Sequence, residues 1–282
     1  MHFAKYQGTG NDFVMLSDVD DEIKLTPELV RRLCDRRFGI GADGVIRIAP
    51  PSSGGDFFMD YVNSDGSVGE MCGNGIRCLA VFARHFGLTA SDRIAVETRA
   101  GVKVVTMSPA GVAVDMGPPI FDPTAIPVLW EGSDALHVKI ELPTEMMELA
   151  CLSMGNPHAV AFVEDPSSVP LRHLGPLIER HDAFPNGTNV EFVRVVAPGH
   201  IEMRVWERGS GETLGCGTGA AAAAVAARVL HDTDSSVTVS LPGGDLIVEW
   251  RGSPGENGSV FLDGPAKKVF EGQIDLLRGD PN

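Results

Sequence analysis

Two glycine-rich segments each deliver a cysteine to the start of an apolar run. The first is Asn63-Ser64-Asp65-Gly66-Ser67-Val68-Gly69-Glu70-Met71-Cys72-Gly73-Asn74-Gly75-Ile76-Arg77, and the second is Glu207-Arg208-Gly209-Ser210-Gly211-Glu212-Thr213-Leu214-Gly215-Cys216-Gly217-Thr218-Gly219. A constant offset of 144 positions carries Met59 onto Met203, Cys72 onto Cys216, Gly73 onto Gly217, Gly75 onto Gly219 and Arg84 onto Arg228 without a gap. Self-similarity at one offset, in only two copies, implies a duplicated domain rather than a solenoid.

A cysteine at a helix N-terminus sits among unpaired backbone N–H groups and at the positive end of the helix dipole, which lowers its pKa and makes thiolate accessible. The same N–H groups attract a carboxylate, and glycine lets a ligand approach the main chain. Two such termini facing each other across a domain cleft would hold an amino acid with a sulfur on each side of its α-carbon. One thiolate would then remove the α-proton while the opposite thiol protonates the other face, inverting the centre. This chemistry needs no cofactor. The cysteines show no metal-ligand spacing, no His-Glu-x-x-His occurs and the eight histidines are scattered, so no metal is expected. The remaining cysteines, Cys34, Cys78 and Cys151, read as small buried hydrophobes.

The elements that must position these residues follow from the pattern. Thr26-Pro27-Glu28 starts a helix expected to run to about Arg37. Strands are expected at 3–5, 13–16, 45–48, 57–62, 94–98, 102–107 and 112–116, with a long helix over 75–86. In the second half, strands are expected at 159–163, 190–196, 202–206, 237–241 and 246–250, and helices at 174–180 and 220–230. Gly39-Ile40-Gly41-Ala42-Asp43-Gly44 matches a dinucleotide fingerprint literally, but it leaves a helix and enters a strand, the reverse of the required order. The four prolines between Gly117 and Pro127 mark a linker. Residues 264–282 would return to the first domain, giving domains at 1–117 plus 264–282 and at 118–263.

The run Ala220-Ala221-Ala222-Ala223-Ala224-Val225-Ala226-Ala227 has no polar face, and a helix apolar on every side belongs inside something. The expected fold is therefore α+β: two pseudo-symmetric duplicated domains, each a barrel-like, mainly antiparallel sheet wrapped round a central helix. At 282 residues the chain can build two cores. A net charge of −15 disfavours nucleic acid and anionic membranes as partners. With no apolar leader after Met1 and five sparse cysteines, a cytoplasmic protein with reduced thiols is expected.

Asn63-x-Asp65-Gly66-Ser67 followed by Cys72-Gly73-Asn74-Gly75-x-Arg77 resembles the signature of the diaminopimelate epimerase family. Gly10-Asn11-Asp12-Phe13, Gly155-Asn156-Pro157-His158, Glu207-Arg208-Gly209 and Cys216-Gly217-Thr218-Gly219-Ala220 resemble further blocks of that family, in order and across the whole chain. The resemblance implies pyridoxal-independent interconversion of LL- and meso-diaminopimelate, a precursor of lysine and peptidoglycan, by a homodimer. It implies that Cys72 and Cys216 are the acid/base pair, with His158 assisting Cys72 and Glu207 assisting Cys216. It implies that Arg208 clamps the distal carboxylate of this small diamino-dicarboxylate, aided by Asn63, Asn156 and Asn189. Asn11, Asn74 and Thr218, with the N–H groups of Gly73 and Gly217, would surround the reacting end. Many relatives carry Gln where this chain has Gly44. Proline racemase-like enzymes also pair cysteines, but they carry His after the first Cys-Gly, where Asn74 stands here. Phenazine-pathway isomerases lack the pair, and a non-catalytic amino-acid-binding module would not need it.

Overall fold

The computed structural model describes residues 1–275 except 110, 133, 144, 254, 255 and 257. Two compact units emerge, Met1–Val114 with the chain from Gly264 onward, and Asp115–Asp263. The end of the tail, from residue 276, lies outside the described residues.

In the first unit the strands are β1 (His2–Gly8), β2 (Asn11–Ser17), β3 (Gly44–Ala49), β4 (Phe57–Asn63), β5 (Arg93–Thr98), β6 (Gly101–Met107) and β7 (Val112–Asp115). The helices are α1 (Pro27–Cys34) and α2 (Gly73–His85). Returning after the second unit, Lys267–Gln273 pairs antiparallel with β1. The ladder continues antiparallel from β1 to β2, parallel to β3, antiparallel to β4, parallel to β5, then antiparallel through β6 to β7. Alternation sorts the side chains. Val14, Leu16, Val45 and Val62 pack outward with Val30 and Leu33 of α1, while Ile46 and Met59 point inward to the first turn of α2. The sheet curls so that β1, β2, β3, β4, β6 and the closing strand all touch α2.

Thr26 caps α1 as expected, its hydroxyl accepting from the Leu29 amide. The helix stops at Cys34, short of the expected Arg37, because Asp35 is extended and its carboxylate accepts from the Arg37 and Phe38 amides.

The second unit repeats this plan with β8 (Val138–Glu141), β9 (Met146–Ser153), β10 (Pro157–Phe162), β11 (Asn189–Ala197), β12 (His200–Glu207), β13 (Gly211–Thr213), β14 (Ser236–Leu241), β15 (Gly244–Trp250) and β16 (Val260–Gly264). Its helices are α3 (Leu171–Glu179) and α4 (Gly217–His231). From β9 the ladder runs antiparallel to β10, parallel to β11, antiparallel to β12, parallel to β14, then antiparallel through β15 to β16. That is the order of parallel and antiparallel steps seen in the first unit. Ala220 to Ala227 are all buried, and α4 touches β9, β10, β11, β12, β14 and β15. Alanine's small side chain lets the strands approach the helix from every side. A mostly antiparallel sheet with two parallel steps, curved round one helix, is the expected α+β class.

The proline-rich stretch is not a free linker. Ile126 and Val128 sit in the core cluster of the second unit, and Ile120 forms a bridge with Ser153. Proline removes N–H donors and so breaks regular structure, but the apolar side chains between the prolines still seek burial. Strands β8 and β9 are also additions, since the sequence pattern assigned nothing to that region.

One ion network steadies the first unit close to Asn11. Asp12 pairs with Lys5 and with Arg36, each at 2.8 Å. Burial alone would raise the Asp12 pKa, but hydrogen bonds from Arg36 and Lys5 outweigh it and hold the carboxyl at about 2. A pKa depressed on folding contributes stability above the unfolded value of about 3.9, and that contribution disappears as pH falls through the folded value. Between pH 4 and 2, wild-type urea midpoints should therefore fall more steeply than those of Asp12→Asn. Parallel slopes would show that the network adds nothing to folding.

Candidate active site

Each sulfur occupies the N-cap of its unit's central helix. Cys72 is extended (φ −141°, ψ 119°) before α2, and its sulfur accepts from the Gly75 amide at 3.4 Å. The Cys72 thiol also reaches Asn11 Oδ1 at 3.6 Å, and Asn74 Nδ2 lies 3.5 Å from the same oxygen. Asn11 is aimed by its other end, since Nδ2 donates to Asp43 at 2.6 Å. Asn74 is held from beneath: the guanidinium of Arg77, which has no solvent exposure, donates to Asn74 Oδ1 at 2.6 Å and to Gly73 O at 3.3 Å. The order Cys-Gly-Asn-Gly-x-Arg in the motif thus has a mechanical meaning here. Arg77 is one turn along the helix and reaches back to the first turn.

Asn63 ends β4, where its Nδ2 donates to Ser67 at 3.0 Å and its Oδ1 accepts from the Tyr61 hydroxyl at 2.5 Å. Tyr61 also explains Gly44. A Cβ at position 44 would stand 2.7 Å from Tyr61 Cε2 and 2.8 Å from Val62 O, so the tyrosine ring fills the space that a longer residue would need.

In the second unit, Cys216 is likewise extended (φ −120°, ψ 116°) before α4. Here the charge environment reverses the simple expectation from helix position. Burial pushes the Cys216 thiol well above its ordinary value, and the carboxylates of Glu207 and Glu191 push it further. The Thr218 hydroxyl and the Gly219 amide act the other way and are outweighed. At Cys216 burial and the two neighbouring carboxyl groups together outweigh what a helix end supplies toward the thiolate. Glu207 is raised as well, first by burial, while hydrogen bonds with Thr213 and Cys216 oppose the shift. Thr213 Oγ1 donates to Glu207 at 2.5 Å. Glu207 and Cys216 are thus neighbours.

His158 lies at the start of β10, wholly buried, with Nδ1 at 2.7 Å from Glu191 and Nε2 at 3.1 Å from Asn156 Oδ1. Asn156 Nδ2 donates to Thr218 at 3.3 Å, and Thr218 Oγ1 is 3.4 Å from Cys216 Sγ. Asn11 and Asn156 hold matching places, each at or just before a strand, after turns whose Gly10 and Gly155 adopt positive φ of 83° and 95°. Asn189 is buried and already holds main chain at both ends: Nδ2 donates to Pro157 O, and Oδ1 accepts from the Arg208 amide, each at 2.9 Å. It fixes the backbone that carries Arg208. The Arg208 side chain is exposed and donates to Asn186 O at 3.1 Å. A Cβ on Gly217 would meet Leu262 Cδ2 at 2.9 Å, the free end of a side chain that can swing aside.

The residue that sequence reasoning passed over is Glu191. Its signal was present: a glutamate inside Asn189-Val190-Glu191-Phe192-Val193, all five of which are buried. The other cysteines behave as packing residues. Cys34 and Cys151 belong to core clusters, Cys78 has no exposure, and burial raises all three thiols, Cys34 to about 12.

The family model for diaminopimelate epimerase matches residues 3–121 and 150–269, one segment for each repeat. A diaminopimelate epimerase of Synechococcus elongatus is 48% identical over 280 residues, spanning 98% of this chain and 99% of the relative. One from Leptospira biflexa is 44% identical over 283 residues, with 98% and 99% covered. Among solved structures, a probable proline racemase from Agrobacterium radiobacter superposes with a TM-score of 0.69 at 17% identity, covering 99% of this chain and 94% of that one. A phenazine biosynthesis protein of Bacillus anthracis gives 0.68 at 17% identity, covering 97% and 99%. These distant structures share the duplicated fold and speak to the fold alone. The paired Cys-Gly-x-Gly helix starts and the near full-length matches agree: this chain belongs to the diaminopimelate epimerase family of isomerases.

Proposed function

We propose that this protein interconverts LL- and meso-diaminopimelate by a two-base mechanism in which Cys72 and Cys216 act on opposite faces of one α-carbon, in the cytoplasmic route to lysine and peptidoglycan precursors. The observation that carries the reading is the repetition of one device: a cysteine N-capping the central helix, with backbone N–H groups of the first turn beside it. Those N–H groups suit the α-carboxylate, whose negative charge grows as the α-proton leaves and enolate character develops. One sulfur takes the α-proton as base and the other, as thiol, returns a proton to the opposite face, so the two protonation states are exchanged after each turnover. Glu207 exchanges protons with Cys216, and His158, which the family resemblance pairs with Cys72, is held by Glu191 and Asn156 on the Cys216 side. Arg208 and Asn63 hold the distal carboxylate and amine that distinguish this substrate from a simple amino acid. A closed site excludes water from the carbanion. No cofactor takes part, and the active form is a homodimer.

Proton exchange in deuterated solvent tests the reaction directly. Incubation with LL-diaminopimelate should place solvent deuterium at one α-carbon and form the meso isomer, whereas proline should remain unlabelled. Labelling of proline but not of diaminopimelate would move the chain to the racemases that share its fold. No labelling of any amino acid would leave a binding module.

A further inference from the structure

Glu191 stands in β11 with no solvent exposure, and its Oε2 has no hydrogen-bond partner among the described residues. A buried carboxylate must either take up a proton or face a counter-charge, since an unpaired ion in the interior costs several kcal/mol. Its Oε1 lies 2.7 Å from Nδ1 of His158, which is equally buried. The second ring nitrogen of His158 meets Asn156 Oδ1 at 3.1 Å, an oxygen that only accepts, so Nε2 carries a proton. The amide of Asn156 then donates onward to Thr218, whose Oγ1 lies 3.4 Å from Cys216 Sγ in a contact where either atom can donate. Five residues from β10, β11, the loop before β10 and the start of α4 thereby form one hydrogen-bonded chain.

We propose that Glu191 is a positioning residue: its buried carboxylate holds His158 with both ring nitrogens protonated and so fixes the hydrogen-bonded chain through Asn156 and Thr218 that ends on the Cys216 sulfur. This deepens the two-base reading and rests on it. The groups that face Glu191 are His158 on β10, Cys151 on β9, Glu207 on β12 and Cys216 at the cap of α4. Burial first, and then the neighbouring Glu207 and Glu191, favour the thiol form of Cys216. Helix α4 is built for this neighbour, since a Cβ on Gly219 would stand 2.7 Å from Glu191 Oε1.

The test has two parts. Nitrogen-15 NMR of histidine-labelled wild-type protein, with the His158 signals assigned by their loss in His158→Gln, should show both ring nitrogens protonated near neutral pH. A neutral ring with Nε2 bare overturns the proposal, and this measurement requires no Glu191 variant to fold. In Glu191→Gln, which keeps the side chain's size but not its charge, Nδ1 should lose its proton. For epimerisation kcat should fall about 10- to 100-fold with KM within about threefold. A variant with an unchanged ring also overturns the proposal. If wild-type protein does not turn over diaminopimelate at all, the functional reading fails while the ring measurement still decides the role of Glu191.

Discussion

Replacing either cap cysteine should lower epimerisation by at least about a thousandfold, the scale on which a positioned acid or base acts. For Cys72 the informative change is to serine. The Cys72 sulfur accepts from the Gly75 amide, and an alanine would lose that cap along with the thiol, confounding folding with chemistry. Serine caps well but is a far weaker acid, so Cys72→Ser should unfold at the same urea concentration as wild type and yet not epimerise. Cys216 is buried beside two carboxylates and its sulfur lies against the Gly219 amide and Thr218 Oγ1, so serine is again the informative change and Cys216→Ser should fold normally as well. Isotope exchange then separates the two bases. A variant with one working thiol can still remove and replace a proton on its own face, so each should exchange the α-proton of only one epimer and form little of the other. A single variant that epimerises at a near-normal rate would remove the two-base mechanism.

The surroundings of the two sulfurs differ, so in the proposed two-base reaction the two thiols are not equivalent. Cys72 is half-buried among the neutral amides of Asn11 and Asn74, whereas Cys216 is buried beside Glu207 and Glu191. Duplication supplied the same cap twice, and the strands flanking each cap then made the two unequal. That inequality suits a pair in which one member must begin as base and the other as acid.

How far this could be read from the chain depended on range. The repeat, the cap cysteines and the helices that follow them were visible because each is written within a dozen residues: Cys-Gly-x-Gly, then an apolar run. The hairpins at 94–107 and 237–250 were visible for the same reason, with alternation on both sides of a glycine turn. Strand β9 was not, because Leu149-Ala150-Cys151-Leu152 is buried on both faces and shows no alternation. The parallel steps β2–β3 and β10–β11 join strands separated by a helix, and no local pattern sets their register. The state of Cys216 was hidden for a stronger reason. It depends first on burial by the surrounding strands and then on charges brought in by β11 and β12, and the local rule about helix N-termini points the opposite way. Asn189 illustrates a milder limit. Its type suited ligand binding, but the main chain of Pro157 and Arg208 had already claimed both ends of its amide.

Gly75 and Gly219 occupy equivalent places in the repeat, and alanine should nevertheless affect them very differently. Glycine to alanine inside a helix ordinarily gains up to about 1 kcal/mol, so the surroundings decide the sign. At position 75 the new methyl would approach Ile46 Cδ1 at 2.7 Å and Met59 Cε at 2.9 Å, the free ends of two flexible side chains, with Cys72 Cβ at an ordinary 3.4 Å. Those ends can swing aside, and Gly75→Ala should change stability by less than about 1 kcal/mol. At position 219 the methyl would meet Glu191 Oε1 at 2.7 Å and Cys216 Cβ at 3.3 Å. Glu191 cannot retreat without releasing buried His158, so Gly219→Ala forces either a shift of the α4 cap or a broken buried pair. The expected loss is about 2 to 3 kcal/mol in urea unfolding, the scale of overpacking plus a lost buried hydrogen bond. Epimerase activity should fall with it, because the displaced groups are the ones that hold the Cys216 sulfur. Adding Glu191→Ala to Gly219→Ala should restore much of the stability by removing the obstructing oxygen, while activity stays low. Equal losses at the two glycines, or a double variant no more stable than Gly219→Ala alone, would show that the clash with Glu191 is not what keeps position 219 a glycine.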